Sequence, residues 1–260
     1  MKSTLMASLD SNLIIDMEDG YRALSVMKLQ ARTAKDLFDI KKLIEQSIKD
    51  NGGKYPYKYI TIDNASRLDE AVVPYANHLY RKTALGAGWG KKRLQNGTMV
   101  DDPEADVRTV PRGGGWKYYR DALEYIIKMF IPLCETVILI CHVKDSQITR
   151  EGKEISELQM DLAGKSGDII GGLADALALL YRENNSTYLS FQGGDNTVKE
   201  ARCLHLKGKK FEVIRSDNQG HMRIDTSRVF PSDEELEKMT QEALAIQSAP
   251  LSEETSKDKE

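Results

Sequence analysis

Apolar residues are spaced along this chain in two ways. Asn12 to Asp16 and Thr136 to His142 are short continuous apolar runs, the pattern of strands covered on both faces, and the second is the most hydrophobic stretch in the chain. Tyr57 to Asn64 is a third strand, β-branched and aromatic, ending in Asp63-Asn64. Helical spacing separates these strands. Leu37, Ile40, Leu43, Ile44 and Ile48 mark an amphipathic helix over 33–50, closed by Asn51-Gly52-Gly53. A second helical run covers 66–80, and Tyr119, Leu123, Ile126, Ile127 and Phe130 mark a third over 116–130, closed by Pro132.

Between 83 and 115 the periodicity gives way to Gly, Asp, Pro, Lys and Arg, which reads as a flexible insertion. Its cations Lys91, Lys92, Arg93, Arg108 and Arg112, bracketed by Trp89 and Trp116, suit either a nucleic-acid contact loop or an ordinary solvated excursion. Beyond the third core strand, residues 146–159 read as a β-hairpin around Glu151-Gly152, and 161–167 as a small polar loop. The apolar segment Leu173 to Tyr181 leads into strands over 187–192 and 201–206, expected to pair antiparallel through Gly193-Gly194-Asp195-Asn196. From Ser232 the chain becomes an acidic helix over 233–247, then a tail rich in Ser, Glu and Lys expected to be disordered.

Strands alternating with helices imply an α/β domain with a mostly parallel sheet, Thr136 to His142 at its centre and antiparallel strands toward the C-terminus. One domain over 1–230, followed by the tail 231–260, is the expected division. Open α/β sheets bind ligands beyond the carboxyl ends of their strands. Asp16, Glu18, Asp19, Asp63 and the pair His142 and Lys144 stand there. Asp63 reads either as a metal ligand or as the N-cap of the helix that follows it. His142 reads either as a structural residue or as one facing a ligand.

Composition narrows the class. Over 260 residues, 30% are charged and 40% hydrophobic, a globular composition with no apolar run long enough to span a bilayer and no signal peptide. A cytoplasmic protein is expected, in the host cytoplasm if a bacteriophage encodes it. Residues 231–260 carry a net charge of −6, so the overall −3 leaves a mildly basic body at +3, compatible with nucleic acid. Cys134, Cys141 and Cys203 have no metal-site or disulfide spacing and read as reduced, buried thiols.

The chain opens on Met1-Lys2-Ser3-Thr4 entering a helix. Lys-Ser/Thr before a helix is how a P-loop, G-x-x-x-x-G-K-[ST], ends: the lysine reaches phosphates and the hydroxyl ligates Mg²⁺. The glycines that would precede Lys2, and the strand before them, are not in the sequence, and the reading favours a late start or trimmed boundary over a degenerate member. Gly164-Lys165-Ser166 mimics the same ending, but no strand and spaced glycine precede it, so it is rejected as a phosphate site.

The ordered set of Lys2-Ser3-Thr4, Asp16-Met17-Glu18, Ile62-Asp63, His142, Asp161-Leu162-Ala163-Gly164-Lys165 and Gly172-Leu173-Ala174-Asp175 resembles the RecA-like P-loop ATPases of bacteriophages, the AAA-domain, single-strand-annealing type, over about residues 1–206. The resemblance implies a RecA-like P-loop NTPase core whose N-terminal P-loop strand is missing. It implies ATP held by Lys2, Ser3 and Thr4, with Mg²⁺ on Ser3 and Asp63. Glu18 would activate the attacking water, and His142 would sense the γ-phosphate. Lys165, Lys199 and Arg202 would face DNA or a neighbouring subunit. It further implies single-stranded DNA as partner, a homo-oligomeric ring or filament, and DNA recombination or strand annealing as the work done. Two other readings of the same residues are a non-hydrolysing nucleic-acid-binding or assembly subunit, and a helicase-loader-like ATPase.

Overall fold

In the computed structural model the described residues are 1–150, 153–193, 200–217 and 219–248. The chain packs as two units, 1–174 and 175–260, where the sequence suggested one domain to residue 230. Among the described residues no helix is long and apolar enough to cross a membrane.

The first unit opens with α1 (Lys2–Ala7), β1 (Asn12–Asp16), β2 (Lys28–Gln30), α2 (Ala34–Asp50) and β3 (Tyr59–Asp63). It continues with α3 (Ala65–Ala71), α4 (Val73–Arg81), the hairpin β4 (Lys91–Arg93) and β5 (Met99–Asp101), α5 (Trp116–Lys128) and β6 (Thr136–Ile140). A second hairpin, β7 (Val143–Arg150) and β8 (Lys153–Met160), and α6 (Ser166–Leu173) complete it; Glu151 and Gly152 lie outside the described residues.

Four strands form a parallel sheet in the order β2-β1-β3-β6. Every residue of β1 and β3 is buried, as their unbroken apolar runs require. α2 starts where Thr33 accepts from the Asp36 amide and Asp36 accepts from the Thr33 amide, a capping box, and it ends at Gly52, whose φ of 65° suits glycine. Its Leu37, Ile40 and Ile44 pack under the sheet with Leu68, Leu123, Ile126 and Phe130.

Three expectations are corrected here. Thr136 to His142 stands at the edge of the described sheet and not at its centre: among the described strands β6 pairs with β3 alone, and its Val137, Ile138, Leu139 and Ile140 are partly exposed. Hydrophobicity reports what side chains can bury, not which strand lies alongside. The helical run 66–80 is two helices, broken at Val72 with Pro74 in the first turn of α4. And 83–115 is folded onto the unit: Val107 and Val110 belong to the core, Asn77 donates to the Ala105 carbonyl (2.6 Å), and the Val107 amide donates to Asn77 (2.8 Å). Trp89 packs edge-on against Tyr80 and Trp116 against Tyr119. Arg108 is committed to Asp106, while Lys91, Lys92 and Arg93 stay exposed on the hairpin.

The second unit holds β9 (Ala176–Leu177), β10 (Leu179–Glu183), β11 (Ser186–Ser190), β12 (Glu200–Ala201), β13 (Lys210–Ser216), β14 (Met222–Ile224) and α7 (Asp233–Ser248). Its main sheet is antiparallel, β10-β11-β13-β14. The expected strand 201–206 shrinks to Ala201 in β12, and β11 pairs instead with β13, where Phe211 and Val213 alternate with polar residues. All three cysteines are free, and only Cys134 is fully buried.

Candidate functional site

Strand register brings the candidate residues together. Asp16 stands opposite Asp63, and Asp63 opposite Ile140, so the carboxyl ends of β1, β3 and β6 finish level. Glu18 and His142 lie two residues beyond β1 and β6. The His142 Nε2 atom is 3.7 Å from a Glu18 oxygen, and the Lys2 ammonium is 3.4 Å from both His142 ring nitrogens. Ser3 reaches the Tyr21 phenol, and that phenol donates to Asp63 at 2.6 Å. Lys2, Ser3, Glu18, Asp63 and His142 therefore share one edge of the sheet. Thr4 is the next residue of α1, half-buried.

The three acids at the end of β1 and just beyond it, Asp16, Glu18 and Asp19, do different things. Asp16 accepts from the backbone amides of Glu18, Gly20 and Tyr21 and so folds the turn. Asp19, at φ 61°, is held by Arg22 (3.0 Å), Arg32 (2.6 Å) and Gln30. Glu18 meets His142, and its carboxylate also lies 3.2 Å from the Arg67 Nε. Burial works to raise the Glu18 pKa, but the Asn64 amide, Arg67 and the His142 ring outweigh it and leave it below the ordinary glutamate value.

Asp63 is not the helix cap. Asn64 fills that position, accepting from the Arg67 amide at 2.9 Å, which leaves the Asp63 carboxylate pointing into the site. Burial raises the Asp63 pKa; Tyr21 and Lys2 pull it back, and the nearby Glu18 and Asp16 charges push it up again. A buried carboxylate among other acids is electrostatically suited to a cation. The Asn64 Nδ2 atom is also buried with no partner at hydrogen-bond distance, although it lies close enough to Glu18 to draw its pKa down. Among the described residues no three His, Cys, Asp or Glu side chains gather into a metal cage. One hydroxyl and one carboxylate with a lysine alongside nonetheless fit Mg²⁺, which is commonly held by one or two carboxylates and the substrate's own phosphates.

Tyr21, Asn64 and Arg67 were not anticipated. Tyr21 carries no motif and reaches Asp63 only because the Asp16-centred turn folds it back. Tyr21→Phe is expected to cost about 1–3 kcal/mol in urea unfolding without Mg²⁺, because a buried carboxylate loses its donor; a change below about 0.5 kcal/mol would mean the pair contributes nothing.

Lys165 is exposed at the N-cap position of α6, apart from the cluster, but the segment that carries it is tied back toward the site. The Asp161 amide donates to the His142 carbonyl (2.8 Å), Ser66 Oγ to the Asp161 carbonyl (2.8 Å), and the Ala163 amide to Asp69 (2.9 Å). Arg202, in the second unit, pairs with Asp175 at 3.4 Å. Lys199 lies outside the described residues.

Burial raises the Asp69 pKa above the ordinary carboxylate value, with the Ala163 amide and Arg108 opposing. Between those two values the folded chain keeps a proton that the unfolded chain releases, so stability falls as pH rises through the raised pKa. Asp69→Asn should flatten part of that fall, read as urea midpoints between about pH 4 and pH 7; an unchanged profile would mean that Asp69 does not titrate there.

A four-stranded parallel sheet with a lysine, hydroxyl, carboxylates and a histidine at its carboxyl edge, followed by antiparallel strands, fits the fold of the P-loop nucleotide-binding proteins. The family model described as an AAA domain matches residues 2–203, and the chain belongs to that family. No curated protein matches the chain.

Proposed function

We propose that this AAA-domain chain is an ATPase that binds ATP with Mg²⁺ at the Lys2–Asp63–His142 edge and couples hydrolysis of the ATP phosphoanhydride to work on single-stranded DNA, as a homo-oligomer in phage-type recombination or strand annealing. The observation that supports it most is the level finish of β1, β3 and β6, which sets Lys2, Ser3, Glu18, Asp63 and His142 at one edge. Phosphoryl transfer needs positioning and charge neutralisation more than covalent chemistry, and these side chains are of the required kinds. Lys2 would contact the β- and γ-phosphates, with Thr4 flanking. Ser3 and Asp63 would hold Mg²⁺, which when bound neutralises phosphate charge. Glu18, kept ionised by its neighbours, would orient the attacking water and take up its proton, and His142, touching both Lys2 and Glu18, would read the γ-phosphate.

A full P-loop adds a cradle of backbone amides around the phosphates. The open side of β6 is partly apolar and unpaired among the described strands. Titration of the chain with a fluorescent ATP analogue, with Mg²⁺ and then with EDTA, tests the site. Turnover measured with and without single-stranded DNA tests the work. Mg²⁺-dependent binding and DNA-stimulated turnover are expected. Binding without turnover would favour the non-hydrolysing reading, and neither would sink the proposal.

A further inference from the structure

In the antiparallel sheet of the second unit, one face packs Phe211, Val213, Ile214 and Thr187 inward. The opposite face carries Tyr181 directly across from Tyr188, their rings 5.8 Å apart and tilted by 31°. Lys210 places its ammonium 3.9 Å from the Tyr188 ring centre and 5.1 Å from that of Tyr181. A bulge between Thr187 and Tyr188 then changes the alternation of β13. Tyr188 pairs with Glu212 and Thr187 with Ile214, so Val213 is the extra residue. Without it Arg215 would point into the core; with it Arg215 joins the tyrosine face, which is how bulges re-aim side chains. On that face Arg215 stands directly opposite Arg223.

Two like charges directly opposed across antiparallel strands destabilise a sheet unless an anion lies between them. Glu212, on the same face, offsets Arg215 only at 3.8 Å and is shared with the Ser186 hydroxyl, and Asp225 lies near enough to Arg223 to be influenced by its charge, so the two arginines are partly compensated and still stand opposite each other. Lys210 is bonded to Glu183 at 3.0 Å, an exposed pair of the kind worth little and readily exchanged for a phosphate. A lysine stem lying along a tyrosine for packing alone would explain Lys210, but not the bulge-directed arginine pair.

We propose that this face binds single-stranded nucleic acid, with bases stacking on Tyr181 and Tyr188 and backbone phosphates taken by Lys210 and the Arg215–Arg223 pair. Paired aromatics beside cations on an open sheet are the ingredients of sequence-tolerant single-strand binding. Tyr188 to Ser186, the residue opposite Arg215, spans about 7 Å along the strand, so a few nucleotides cover both features. The proposal rests on the DNA-directed reading above for the kind of polymer, and it assigns the contact to residues other than Lys165 and Arg202.

The test is fluorescence anisotropy of a labelled oligo-dT titrated with the full chain at several salt concentrations. Tyr181→Ala with Tyr188→Ala should weaken binding by roughly 25-fold, about fivefold for each base unstacked, while the two Tyr→Phe changes leave it within about twofold. Arg215→Gln with Arg223→Gln should make the salt dependence shallower by about 1.4 in log–log slope. These arginines are exposed, so that variant remains decisive if thermal melts show the alanine pair to be unfolded. Wild-type affinity in both variants, or no oligo-dT binding by the parent chain, would overturn the proposal. So would tighter, arginine-dependent binding of poly-glutamate than of oligo-dT, which would mark an acidic protein partner. ATP-analogue binding measured on the same preparations separates the two readings: nucleotide binding without oligo-dT binding removes this face alone, and tyrosine-dependent oligo-dT binding without nucleotide binding removes only the ATP site.

Discussion

Glu18→Gln is expected to lower ATP turnover by about 10²–10⁴-fold while leaving ATP-analogue binding roughly unchanged. Glutamine has the same shape and can still accept from Arg67, whose Nε lies 3.2 Å from the Glu18 carboxylate, so the local packing should survive. What it lacks is the negative charge that orients water and accepts its proton. Asn64, Arg67 and His142 hold the Glu18 pKa below the ordinary glutamate value, so its carboxylate contributes through position and charge as much as through basicity. Steady-state phosphate release and analogue titration on the same samples make the comparison. Equal turnover in variant and parent would remove Glu18 from the catalytic role, and a parallel loss of binding would recast it as part of the binding site.

Gly115→Ala is expected to destabilise the first unit by about 1–3 kcal/mol or more, lowering the melting temperature by several degrees. A Cβ there would stand 1.7 Å from the Val107 carbonyl oxygen, a backbone atom that no rotamer change can move. Val107 is itself fully buried. Gly88→Ala is the control: a Cβ at Gly88 meets nothing within 4 Å, so a change within about 0.5 kcal/mol is expected. If the two variants melt alike, residues 83–115 are not packed as described and behave as the free insertion their composition suggested.

The contrast at 83–115 shows where sequence reasoning stops. Composition there is polar and glycine-rich, and nothing local distinguishes Val107 and Val110 from exposed valines; their burial depends on Asn77, thirty residues earlier, donating to Ala105 and accepting from Val107. β6 makes the same point from the other side, since its run of apolar residues predicts burial but the neighbour that would complete it is not encoded in the run. Asp63 was ambiguous between ligand and cap, because both roles follow a strand and precede a helix. Only the backbone geometry, which gives the cap to Asn64, separates them.

By itself the sequence determined the parallel strands Asn12–Asp16 and Tyr59–Asp63, the helix Ala34–Asp50 with its cap, and the kinds of chemical group at the strand ends, because apolar period, capping and residue type act over a few neighbouring residues. Tertiary structure alone decided that Lys2 meets His142 across 140 positions of chain, that Tyr21 donates to Asp63, and that a single bulge turns Arg215 toward Tyr188 and Arg223. Those contacts depend on strand order and register, which arise from how distant segments cover one another's apolar faces and are not written in any one segment.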